Sequence, residues 1–113
     1  MNQSDIQAIR DRMVVAAKSQ DIVYYGELMA LGNLDHELDK DRAELGALMA
    51  TLNDAELIVG NPPISSVAVG MSSGNPSQGF FDYVDENNLR HPGEGDVSVF
   101  VRLLNDCHNC TTW

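Results

Sequence analysis

The chain has 113 residues, the length of one domain, and such a chain buries roughly two-thirds of its unfolded surface without needing disulfide staples. Seventeen acids against seven lysines and arginines leave a net charge of −10, which repels phosphate backbones, disfavours duplex DNA and attracts cationic partners. The 43% hydrophobic content argues against disorder, no apolar run reaches the ~18 residues of a membrane span, and the opening MNQSDIQAIRDR lacks a signal-peptide core.

A first helix is expected over 4–19, opened by a Ser4/Gln7 capping box, with Ile6, Ile9, Met13 and Ala17 on one face. Ile22, Val23 and Tyr24 read as a short extended entry to a second helix, Tyr25 to Leu31, stopped by Gly32. After the polar stretch Asn33–Leu38, a third helix is expected over 39–56, its apolar stripe formed by Leu45, Leu48, Met49 and Leu52. Ile64–Val69 is the strand candidate, bounded by Pro62–Pro63 and Gly70. Gly70–Gly79 reads as a loop with turn chemistry at Gly74-Asn75-Pro76, and Gly79 as a close-packing position before Phe80. A short helix from Phe80 to Asn87 and a break over Arg90–Gly95 precede a last helix, capped by Asp96, that puts Val97, Phe100, Val101 and Leu104 on one face. No internal repeat, low-complexity segment or interdomain linker is evident, so residues 1–113 read as one domain.

That order suggests an α+β, winged-helix-like fold: three N-terminal helices, a short β hairpin or strand pair, then C-terminal helices. In it the second and third helices form the helix-turn-helix pair. Ile64–Val69 starts the wing and Met71–Gln78 is its tip.

Within 24–81, the stretches YYGELMALG, ELGALMATLND and NPPISSVAVGMSSGNPSQGF resemble the DNA-binding domain of alkylguanine-DNA alkyltransferases and alkyltransferase-like proteins. The resemblance implies a winged helix whose third helix enters a DNA groove. Its chemistry does not carry over. Where that family has Pro-Cys-His-Arg-Val, this chain has Pro63-Ile64-Ser65-Ser66-Val67, so the nucleophilic thiol is replaced by an aliphatic side chain. The family's base-displacing arginine falls at Ala43, one residue from Arg42. Segments 35–56 hold seven acids against Lys40 and Arg42, the wrong sign for a recognition helix. Tyr25–Leu28 and Gly74–Phe81 also resemble, more closely, a group of small uncharacterised prokaryotic proteins with a Y-G-E-L segment and a G-x-P-x-x-G-F-F turn, for which no activity is implied.

The chemistry-bearing motifs are sparse. Gly70, Gly74 and Gly79 match neither phosphate-binding spacing, and no Lys or Arg lies between Arg42 and Arg90. Cys107-His108-Asn109-Cys110 supplies half of a tetrahedral metal site at most; Cys107, His108 and Cys110 are weak metal candidates, and they would serve a metal-dependent enzyme. Asp82, Asp85 and Glu86 share a helix face, read mainly as solvated. The run Asp35-x-Glu37-x-Asp39-x-Asp41 lacks the glycine and terminal glutamate of a calcium loop. The expectation is a cytoplasmic, non-enzymatic protein without a cofactor or a membrane partner. It would bind a protein with a basic surface through Asp35, Glu37, Asp39, Asp41 and Glu44, as a phage-type inhibitor or nucleic-acid mimic does. The alternatives are a winged-helix DNA-binding protein and the metal-dependent enzyme.

Overall fold

The computed structural model describes residues 1–113. Five α-helices surround a two-stranded sheet: α1 (Gln3–Lys18), β1 (Val23–Tyr24), α2 (Tyr25–Leu31), α3 (Asp39–Ile58), β2 (Ala68–Val69), α4 (Gln78–Glu86) and α5 (Asp96–Asn109). This is an α+β arrangement with three helices before the strand pair's second member and two after it.

The cap of helix α1 lies two residues before the expected one. The Asn2 side chain accepts from the Asp5 amide at 2.8 Å while the Asp5 carboxylate accepts from the Asn2 amide, so the capping box is Asn2/Asp5 rather than Ser4/Gln7. Helices α1 to α4 all end in the same Schellman geometry. In each, the amide two residues past the cap bonds back to the third-last helical carbonyl: Asp21 to Ala16, Leu34 to Met29, Asn61 to Glu56 and Leu89 to Val84, all at 2.9 Å. The left-handed position that this needs is taken by Gln20, Asn33, Gly60 and Asn88. Gly32, expected to stop α2, has a φ of −90° and is the cap; the left-handed residue is Asn33.

The strand candidate is corrected in two ways. Ile64–Val67 is one turn of 3₁₀ helix, and the extended backbone is confined to Ala68–Val69. No hairpin forms: β2 pairs in parallel with β1, Val23 opposite Ala68 and Tyr24 opposite Val69, the intervening crossover being α2, α3 and the 3₁₀ turn. The cause lies in the two adjacent serines. Asn53 of α3 takes the Ser65 amide at 3.0 Å, and the Ser66 amide bonds the Pro63 carbonyl at 3.1 Å, joined there by the Ser66 hydroxyl at 2.7 Å, so the backbone donors a ladder would use are already satisfied. The 3₁₀ turn is wholly buried and packs against α1, α3 and α5.

Two apolar clusters meet across the sheet. The larger joins Ile9, Met13, Val23, Leu28, Leu45, Ile64, Val67 and Cys107; the smaller joins Val69, Phe80, Phe81, Val84, Val99, Phe100 and Leu103. Leu104 packs against both. In the smaller cluster Phe80 sits edge-on to Phe81 and Phe100, with centroids 5.3 and 6.4 Å away.

The inward face of α5 is Val99, Phe100, Leu103 and Cys107, whereas Val97 and Val101 of the expected face are exposed, Val97 by 69%. Gly95, rather than Asp96, is the N-cap. This rotation buries Val99, Phe100 and Leu103 in the smaller cluster, and salt bridges accompany it: Arg90 holds Asp96 at 3.0 Å, and Arg102 holds Glu94 at 2.8 Å while donating to the Leu89 carbonyl.

Candidate functional site

The acidic segment begins in the loop before α3 and runs into its first turns. Asp35, Glu37, Asp39 and Glu44 are exposed and Asp41 is half-buried, so the five residues expected to bind a partner do lie along one stretch of surface. Part of the run serves the loop itself. The Asp41 carboxylate accepts from the Asp35 amide at 2.7 Å, and the Asp35 carboxylate accepts from the Glu37 amide at 2.9 Å. Asp39 pairs with Arg42, which also donates to the His36 carbonyl, and Glu44 faces the amino terminus at 3.4 Å. Glu37 has no partner. Asp39 and Asp41 in the first turn also complement the α3 dipole. Of the other acids counted with this helix, Glu56 is buried against Arg10 at 2.9 Å and Asn61, so it contributes nothing to an outer anionic face.

Beside this segment runs a groove that the sequence did not disclose. It lies between α3, the start of α2 and the start of α4, and consists of two adjoining cavities of about 130 Å³ each. Tyr25, Gly46, Met49 and Ser77 line both. One end is closed by Arg42 and Leu45, the other by Asn53, Ser65, Phe80 and Tyr83.

Each wall has a local cause. Tyr25 accepts a hydrogen bond from the Ser77 amide at 2.9 Å, tying the start of α2 to the start of α4. Gly46 leaves a gap in the helix surface, since a Cβ there would meet nothing within 4 Å. Asn53 is buried, with its amide nitrogen on Ser65 Oγ at 2.8 Å. Ser65 Oγ is thus an acceptor already used, and its own proton faces no acceptor in the protein. The Tyr83 hydroxyl donates to Asp54 Oδ1 at 2.7 Å. Burial, reinforced by that carboxylate, pushes the phenol further above its ordinary range and keeps it protonated. One signal for this site was available: Asn53 continues the 45–49 spacing of the α3 apolar stripe as a polar residue where a core side chain was due. Tyr25, Phe80 and Tyr83 carried no such mark, because they meet only through the fold.

The Cys/His segment is divided. Cys107 lies wholly in the core with Sγ on the Pro63 carbonyl at 3.3 Å, and burial pushes its thiol up to about 12, against a smaller lowering by the Ser66 hydroxyl. Cys110 is partly buried near Asn61 and Thr112, and His108 reaches the Asp21 carbonyl at 2.9 Å. Nowhere do three His, Cys, Asp or Glu side chains gather as a metal-binding group. Trp113 packs internally and donates to the Cys107 carbonyl at 2.9 Å.

The glycine-rich loop closes on itself. The Gly70 amide bonds the Asn75 carbonyl and the Gly74 amide bonds the Gly70 carbonyl, both at 2.9 Å, with Gly74 left-handed. Gly79 is not a close-packing position, since the nearest atom to a Cβ there would be Ser77 Oγ at 3.7 Å; it lines the groove instead. Asp82 and Asp85 are separated by their partners, Gln78 and Arg90. No helix is long and apolar enough to cross a membrane. Comparisons with protein-family models, with curated proteins and with solved structures find no match.

Proposed function

We propose that this chain is a non-enzymatic binding protein whose acidic edge, Glu37 to Glu44, docks on a basic surface of a protein partner. The observation that carries the reading is the state of the cations. All five arginines are engaged by carboxylates of the chain itself: Arg10 by Glu56, Arg12 by Glu27, Arg42 by Asp39, Arg90 by Asp85 and Asp96, Arg102 by Glu94 and Asp106. Lys18 and Lys40 alone are unpaired, whereas the exposed acids include Glu37, Asp82 and Glu86 without any cation. A surface with its guanidinium groups already spent has little left to place on phosphates.

The order of α1, α2 and α3 ahead of β2 supports the winged-helix-like reading, although β2 pairs with β1 and not with a wing strand. On that reading α3 occupies the place of a groove-entering helix with its charge inverted. An anionic helix of this kind suits a site that otherwise holds nucleic acid, in a nuclease or a defence complex of the sort that phage inhibitors occupy.

The test is affinity capture from native host cells with the intact chain and with a Glu37→Lys/Asp39→Lys variant. Asp41 is spared because its carboxylate holds the Asp35 amide. Loss of the captured partner in the variant is the expected result; equal capture by both proteins refutes the surface. A parallel gel shift at low ionic strength should show no duplex DNA binding. Retardation with a steep salt dependence would instead establish the DNA-binding alternative.

A further inference from the structure

The distal end of the groove, at Tyr83, is chemically unlike its Arg42 end. Three aromatic side chains, Tyr25, Phe80 and Tyr83, line the cavity, and none of the three stacks on another of them. Met49 and Ala50 complete an apolar wall. The Asp54 carboxylate stands at the Tyr83 hydroxyl, held there by one oxygen; its second oxygen has no partner, and the residue is exposed. Arg42, the one cation on the groove, is about 18 Å away along the α3 axis and is neutralised by Asp39. The volume, about 130 Å³, lies well below the ~300–1,000 Å³ of pockets for drug-sized ligands and suits a single side chain.

Asp54 does not line the cavity, but its unfilled oxygen lies past the Tyr83 hydroxyl, so aromatic and thioether walls leading toward it are complementary to an apolar stem that ends in a positive charge. Ring faces attract cations, and the long methylene stems of lysine and arginine pack well on apolar surface. The surrounding net charge of −10 adds attraction for such a group and repels an anionic one. We infer that the cavity between Tyr25, Phe80 and Tyr83 receives one lysine or arginine side chain of the basic partner, with Asp54 as its counter-ion. This inference rests on the proposed function and deepens it. The acidic edge draws the partner in, and the cavity anchors one residue of it.

Gly46 allows the anchor to be blocked without harming the fold, because a side chain there projects into open groove and replaces a helix-weakening glycine. The probe is octalysine at low ionic strength, followed by nuclear magnetic resonance of the Met49 methyl and the Tyr83 and Phe80 rings. The expected result is that these signals shift on titration. Gly46→Met should weaken binding by about tenfold or more without lowering the thermal midpoint, and Asp54→Asn should weaken it while leaving the ring signals of the free protein in place. If shifts are confined to Asp35–Glu44, and Glu37→Lys/Asp39→Lys abolishes binding while Gly46→Met does not, the anchor is refuted and the acidic surface stands. If octalysine does not bind at all, both fail. If guanosine or adenosine moves the Met49 and Tyr83 signals and octalysine does not, the cavity is a base pocket and the inference is overturned.

Discussion

Asn53 is the residue on which the centre of the molecule turns. A buried amide on an otherwise apolar helix face is costly unless both its ends are satisfied, and here Ser65 satisfies them through its amide and its hydroxyl. That pair holds the 3₁₀ turn against α3 and makes the floor of the groove. Cys107 shows the converse case, a chemically capable group used for packing. With its thiol pushed up to about 12 by burial, it stays neutral at physiological pH and gives almost no thiolate. Native protein treated with iodoacetamide at neutral pH should therefore be modified at Cys110 and spared at Cys107, whereas denatured protein takes two labels. Mass spectrometry of the peptides decides it. Labelling of Cys107 at a rate equal to that of Cys110 in the native state would show that the C-terminal turn opens readily.

Among the elements, the loop between α4 and α5 depends most on charge. Glu94 sits between Arg102, its strongest influence, and the His91 amide, and its carboxyl is lowered from 4.5 to about 2. A carboxylate whose pKa is depressed by folding contributes stability that is fully present above the unfolded value and is lost as pH falls through the folded one. The contribution of this group should thus fade between about 4.5 and 2, as the unfolded chain takes up its proton first. Urea denaturation of the wild type and of Glu94→Gln across that window provides the check. The gap between the two proteins should be widest above pH 4.5 and should close on acidification. A gap that stays constant with pH would mean that Glu94 acts by shape and not by charge. The same pairs tie this loop to α5: Arg90 reaches Asp96 in its first turn, and Arg102 reaches back to Glu94.

At the scale of the whole molecule, ten excess negative charges act on a chain whose arginines already sit in local pairs. The long-range part of that field is repulsive, while the close pairs are short-range and less sensitive to screening. Raising salt shortens the screening length from ~30 Å at 0.01 M to about 8 Å at physiological strength. The thermal midpoint should therefore rise over that range, as followed by circular dichroism. A fall would show that the surface pairs outweigh the repulsion.

The helices were legible in the sequence because their signals are local. Tyr25–Leu31 has the expected bounds, α3 starts where expected and ends two residues later, and α1 and α4 differ from expectation by one or two residues at each end. Capping and apolar spacing are properties of a few neighbouring residues, and they need no partner to be read. The place of the acidic residues was equally legible, since Asp35 to Glu44 are close in sequence and remain neighbours across the loop and the first turns of α3. What the tertiary structure decided is everything that depends on a distant partner. The serine pair became a 3₁₀ turn because Asn53 reaches it, β2 found β1 across the α2–α3 crossover instead of a hairpin, and packing against Val69, Phe80 and Val84 set the face of α5. The groove belongs to the same class: Tyr25, Gly46 and Tyr83 stand far apart in the chain, and no local pattern announces that they will line one cavity.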